Sequence, residues 1–262
     1  MRCSGGKKSK QRNTWAQRVN AAGEKELPIV IGRSENPRCF KNLPNKQYPY
    51  TCRYFANDKA WIRTEIMQEV LAKLNRRLKR ENRNIMLFMD NAPCHPPSLK
   101  NTYSNIKIIF FPKNTTSKTQ PLDSGIIANW KIHYKKRMLR FICSKVSATI
   151  TATDIVKSID VLMSIEWGKQ AWVEVQESYI IKCFKSTGLY PDTEPVDDDP
   201  FEGENLVQHE QIDTMLATLS APCTAQEFLD IDANEPTCQL ALDPTRADWR
   251  DQAREIYLIR TI

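Results

Sequence analysis

No run of apolar residues approaches the roughly 18 that a helix needs to cross a bilayer, which removes a membrane-spanning role and a membrane partner from the expectations. The opening segment MRCSGGKKSKQR has no apolar stretch behind its basic residues, so it does not read as a secretory signal. Eight cysteines are present, but none are spaced CxxC and none join an HxxxH pattern. That excludes the usual zinc-finger spacings and, without a signal, argues for reduced thiols rather than a disulfide framework. Cys94 and His95 are adjacent, a spacing that rarely serves one metal. No internal repeat is found. Lysine is absent from residues 191–262.

What is present is a basic body with an acidic end. The chain has 262 residues, 41% of them hydrophobic, enough for one large core with or without a tail. Residues 191–262 hold 17 Asp and Glu against 4 Arg, a net charge of −13, while the first 190 carry +20. An excess of this size points to a polyanion partner, with DNA expected and a small-molecule substrate not. The acidic end reads as a separate, largely disordered segment. The domain expectation is therefore a core over 1–190 and a tail over 191–262.

Patterning along the core alternates strands and helices. TWAQRVNAAGEKELPIVIG reads as two strands about a turn, and residues 58–80 as an amphipathic helix capped by Asp58. IMLFMD, residues 85–90, and KIIFF, residues 107–111, read as buried strands. A long helix is expected from about Asp123 to Lys145, with Ile126, Ile127, Trp130, Tyr134, Met138 and Phe141 on one side and Lys131, Lys135, Lys136, Arg137 and Arg140 on the other. Further helices are expected at 153–167 and 169–185. The fold class is α/β, a mixed sheet with flanking helices.

Two acids stand at chemically useful places. Asp90 ends a buried strand, where open α/β sheets present ligands, and Asp123 opens a long helix after a polar loop. Paired carboxylates repel unless a cation is bound, and hard oxygen ligands suit Mg2+ or Mn2+. The competing readings are an Asx turn for Asp90 and a helix cap for Asp123. Lys113, Lys118, Lys131, Lys135 and Lys136 are the candidate DNA-contacting lysines. His95 is a candidate to position a phosphate or water near Asp90, and Asn91 to orient the site by hydrogen bonds, with turn formation as the alternative for each.

The segments MDNAPCHP, PKNTTSKTQPLDSGIIANWKIHYKKRML, GGKKSKQR and LPIVIGRSENPRCFKN, in that family's order, resemble Tigger, pogo and jerky-type DDE transposases. Ser124 departs from the family's usual Gln. The resemblance implies a ribonuclease-H-like core in which three acids hold two metals for phosphodiester hydrolysis and strand transfer, with Asp90 as the second acid and Asp123 as the third. It also implies a first acid on an opening strand ahead of GGKKSK. This sequence opens at GGKKSK and has no Asp or Glu before Glu24. Glu24 and Glu26 lie in a turn and Glu35 in a loop.

The resulting expectation is a nuclear, transposon-derived DNA-binding protein with a degenerate site that holds Mg2+ or Mn2+ weakly or not at all. The alternatives are an active magnesium-dependent endonuclease and a non-catalytic interaction module. A strand edge left unpaired by the absent opening strand would favour self-association.

Overall fold

The computed structural model describes residues 13–43, 52–92, 94–112, 120–190, 202–231 and 256–261. The chain forms one six-stranded mixed sheet flanked by helices. β1 (Thr14–Asn20) and β2 (Ile29–Gly32) form an antiparallel hairpin, and β3 (Arg53–Ala56) adds in parallel at the edge. After α1 (Thr64–Arg80) come two parallel strands, β4 (Ile85–Met89) and β5 (Ile106–Phe110). A run of helices follows: α2 (Ile127–Lys145), α3 (Ala152–Ser158), α4 (Val161–Glu174), α5 (Glu177–Ser186), α6 (Glu202–Thr218) and α7 (Ala225–Leu229). The final strand, β6 (Ile256–Thr261), returns to the sheet interior, giving the order β3-β2-β1-β6-β4-β5. It runs antiparallel to β1 and parallel to β4.

The hairpin turn has clear local causes. Gly23 adopts φ +88°, a left-handed conformation that favours glycine. The Asn20 carbonyl accepts the Gly23 N–H at 3.0 Å, and the Asn20 side chain holds both the Glu24 N–H and its carboxylate.

Strand alternation separates two cores. Ala16, Ile85, Leu87 and Met89 face α1, joining Met67, Leu71, Leu74 and Leu78. Trp15, Val19, Met86 and Phe88 face the other way, joining Trp130, Ile165, Trp172, Ile180 and Phe184 of α2, α4 and α5. Trp15 and Trp130 lie with ring centres 5.1 Å apart, and the Trp130 indole N–H donates to the Gly168 carbonyl at 2.9 Å. A third cluster joins α2 to α6 and α7 through Ile132, Leu139, Ile212, Leu216, Ala225 and Leu229.

Several expectations need adjustment. The first helix begins at Thr64, not at Asp58. Ala60 takes a left-handed φ of 54°, and the Asn57 side chain clasps both backbone groups of Trp61, so the intervening residues form a turn. Asp58 instead pairs with Arg63. The helix expected from Asp123 starts as a wide π-type turn, Leu122–Ile126, before α2 proper. The expected helix over 153–167 is divided, because Asp160 caps a new helix by accepting the Met163 N–H at 2.9 Å. The strand edge expected to stand open is paired, since β6 lies between β1 and β4. The acidic segment from residue 191 onward contributes, among the described residues, two helices and this central strand.

Candidate functional site

β4 is buried at all five positions and hydrogen-bonded on both sides, so its last peptide is fixed within the sheet. Asp90 follows directly and is half-buried. The chain then breaks from the sheet: Asn91 donates its side-chain amide to the Phe111 carbonyl at 2.5 Å, and the His95 N–H reaches the Ala92 carbonyl at 2.8 Å. This turn folds the His95 ring back under Asp90, with Nδ1 2.7 Å from a carboxylate oxygen. An ionised carboxylate only accepts, so Nδ1 is the donor. His95 is buried, and its Nε2 has no hydrogen-bond partner. The ring therefore holds Asp90 in orientation from within the turn, and the reading of His95 as a turn histidine fits this contact. Asn91 serves the turn.

Asp123 is set by the wide turn. Its N–H and that of Ser124 both reach the Gln120 carbonyl, at 2.9 and 3.0 Å. Leu122, Gly125 and Ile126 are buried. Gly125 sits so closely against α5 that a Cβ there would lie 3.1 Å from the Tyr179 hydroxyl and 3.3 Å from the Cys183 sulfur. Inserted residues of this kind concentrate at functional positions in helices. Leu122 and Ile126 belong to the same core as Phe88, so the turn lies over the sheet face that Phe88 occupies, two residues before Asp90. Parts of the turn and of β6 approach within 8 Å between Cα atoms.

The candidate lysines divide. Lys113 and Lys118 lie outside the described residues. Lys131 is half-exposed on α2. Lys135 and Lys136 are buried. The Lys135 ammonium donates to the Phe228 and Leu229 carbonyls at 2.7 and 3.1 Å, satisfying the end of α7, and Lys136 donates to Gln208 of α6. Burial, with Arg140 and Arg137 nearby, lowers the Lys136 pKa against the opposing pull of Glu174. The acids considered near the N-terminus serve structure: Glu26 bridges Arg18 and Arg77 on the α1 side of the sheet.

One polar residue escapes the pattern reading. Gln17 lies midway along β1, is fully buried, and neither atom of its amide has a hydrogen-bond partner. Its signal is a glutamine at an inward position of TWAQRVN, between Trp15 and Val19. Among the described residues, no group of three or more His, Cys, Asp or Glu is placed to share a metal ion.

Asp90 thus ends an interior strand paired in parallel on both sides, and Asp123 lies on a turn packed into the core that Phe88 shares. Residues 10–184 match the model of the DDE superfamily endonucleases, and the chain belongs to that family. Within it, the relatives are of the Tigger and Jerky type. Mouse Tigger transposable element-derived protein 4 is 27% identical over 258 residues, covering 97% of this chain and 47% of the relative. CENP-B homolog protein 2 of Schizosaccharomyces pombe is 27% identical over 205 residues, covering 74% of this chain and 38% of the relative. Human Tigger transposable element-derived protein 7 is 32% identical over 152 residues, covering 52% and 27%. The chain thus spans less than half the length of these relatives. No solved structure matches it.

Proposed function

We propose that this chain is a transposase-derived, nuclear DNA-binding protein whose ribonuclease-H-like core carries a degenerate phosphodiester-cleaving site. The observation that supports this best is the placement of Asp90 and Asp123 on elements of one sheet face within the family's matching span. The names of two relatives, CENP-B homolog protein 2 and ARS-binding protein 1, agree with a chromosomal DNA ligand. The basic excess of the first 190 residues supports the same partner through counterion release.

The family chemistry calls for divalent ions, and the donor set is short of it. Two-metal phosphoryl transfer needs an ion at both the attacking and the leaving oxygen. Asp90 and Asp123 are two carboxylates, and among the described residues no third metal-ligating side chain joins them. Two such groups fit one weakly held Mg2+ or Mn2+ that keeps most of its waters. They do not fit an ion pair, and no catalytic step is derived through one.

The test is duplex-DNA binding by fluorescence anisotropy across a salt series, beside a nicking assay in Mg2+ and in Mn2+ with an Asp90→Ala control. Salt-sensitive binding without nicking is the expected result. Nicking abolished by Asp90→Ala would establish an active endonuclease instead. Binding that ignores salt would remove the DNA reading.

A further inference from the structure

The basic excess is not presented where the sequence pattern placed it. Lys135 and Lys136 of α2 are buried, and their ammonium groups are taken up by α7 and α6. The outward side of α1 differs. Met67, Val70, Leu71, Leu74 and Leu78 turn toward the sheet. Helical geometry puts Arg76, Lys79 and Arg80 on the opposite side, and all three are exposed. Among the described residues, none of these three side chains makes a hydrogen bond or an ion pair. The cations around them are paired: Lys73 with Glu69, Arg77 with Glu26, and Arg83 with Glu81.

A helix end attracts cations by itself, because its last carbonyls carry partial negative charge, but that pull fades beyond the last turn. Arg77, Lys79 and Arg80 occupy that turn, and Arg76 precedes it. Arg76 also repels Lys79 and Arg80, three and four residues on, which weakens a helix rather than supporting it. Arg53 of β3 feels the same field: burial lowers its pKa, and Arg76 and Arg77 lower it further against the pull of Glu69 and Glu26. Packing within the chain therefore leaves this positive charge uncompensated. Arg76 and Arg80 stand about 6 Å apart along the helix axis, a spacing at which one phosphate chain meets both. Guanidinium forks suit phosphate oxygens. The patch is also separate from the candidate site. α1 packs on the sheet face of Leu87 and Met89, whereas α2, α4 and α5 pack on that of Phe88. The basic end of α1 leads into the start of β4, and Asp90 follows the other end of that strand, roughly 16 Å along it.

Resting on the reading of DNA as the ligand, we propose that Arg76, Lys79 and Arg80 make the outer side of α1 a nucleic-acid surface that grips the phosphate backbone, apart from Asp90 and Asp123. Phosphate contacts position a duplex without reading its sequence, so binding here is indifferent to base order. The experiment is fluorescence anisotropy of the full chain with a labelled DNA duplex across a salt series. Wild type is compared with the triple variant Arg76→Gln, Lys79→Gln, Arg80→Gln. A control triple, Arg38→Gln, Lys41→Gln, Lys59→Gln, removes the same charge from exposed positions elsewhere. The α1 triple is expected to bind about tenfold more weakly at low salt, with a log-log salt slope shallower by about 2 to 3. The control is expected to lose about threefold at most, through net charge alone. The charge-keeping pair Arg76→Lys, Arg80→Lys is expected to retain the wild-type salt slope. Circular dichroism establishes that each variant is folded. If the α1 triple does not fold, Arg76→Gln alone decides, with an expected slope change of about 1. Wild-type affinity and slope in the folded α1 variant, or an equal loss in the control, overturns the inference and leaves the DNA reading standing. Wild type that shows no salt-sensitive binding overturns both. Labelled polyglutamate bound more tightly than duplex, and lost with the same triple, would make this a surface for acidic protein and overturn the nucleic-acid assignment.

Discussion

Single residues in this core often do two jobs, and Glu26 shows the energetic stake. Burial raises its pKa, but the Arg77 hydrogen bond and the charges of Arg18, Arg77 and Arg53 outweigh that and leave it below the ordinary 4.5. A carboxyl lowered in the folded state stabilises the fold above its unfolded pKa, and that contribution is lost as pH falls through the folded value. Glu26→Gln removes the carboxylate that bridges the buried Arg18 and Arg77. The cost lies between that of an exposed and a buried broken pair, about 2 kcal/mol. Urea unfolding at pH 7 measures it, and the difference from wild type should shrink below about pH 4. His133 works in the opposite sense. Burial, and then Lys136, Arg137 and Arg140, lower its pKa from 6.5 despite Glu174, whose carboxylate lies 3.0 Å away. Neutral His133 is favoured in the folded chain, so stability is full above the unfolded value near 6.5 and declines as pH falls from there toward the lower folded value. His133→Gln should flatten that decline, and an NMR titration should place His133 below ordinary histidines.

Elements are held by close backbone approach as well as by apolar faces. A Cβ on Gly168 would lie 2.2 Å from the Trp15 ring, so α4 meets β1 only because that position is glycine. Gly168→Ala forces α4 outward and disturbs the Trp15–Trp130 pair. A loss of about 1–3 kcal/mol is expected, with altered tryptophan emission as the second sign. Such fits are invisible to hydrophobic periodicity, which nevertheless locates β1, β2, β4, β5 and the start of the π-type turn closely. Periodicity works for β2, β4 and β5 because each is short, largely apolar and bounded by Asn, Gly or Pro. It misjudges α2, whose charged side is solvated only in part: Lys135 and Lys136 are buried, and their ammonium groups end on α7 and α6. The two acids of the candidate site were legible from strand end and helix start. The buried Gln17 was not, because β1 lies inside the sheet only through its pairing with a strand more than 230 positions away.

At the scale of the whole molecule, the acidic segment bears on DNA binding through packing. α6 and α7 cover part of the most basic helix, and Leu216 is buried in their contact with it. Leu216→Asp should undock the pair and leave the sheet intact. DNA affinity should then rise severalfold, with a steeper loss between roughly 50 and 200 mM salt than in wild type. Anisotropy titrations on both proteins decide this, and equal affinities would mean that α2 is not part of the DNA surface. Removing residues 191–262 altogether is a poor substitute, because it also removes β6.

The position of β6 also imposes a timetable. A ribosome delivers Thr14–Asn20 long before Ile256–Thr261, yet these are neighbours in the sheet interior. While the chain is still being made, the hairpin and the β4–β5 pair can each form, but they have no hydrogen bonds to one another until the final strand arrives. Closing so long a loop is slow, and the half-sheets wait with pairing edges exposed. Nascent chains stalled at residue 250 should remain protease-sensitive, whereas chains long enough to bring Ile256–Thr261 out of the ribosome become resistant in one late step.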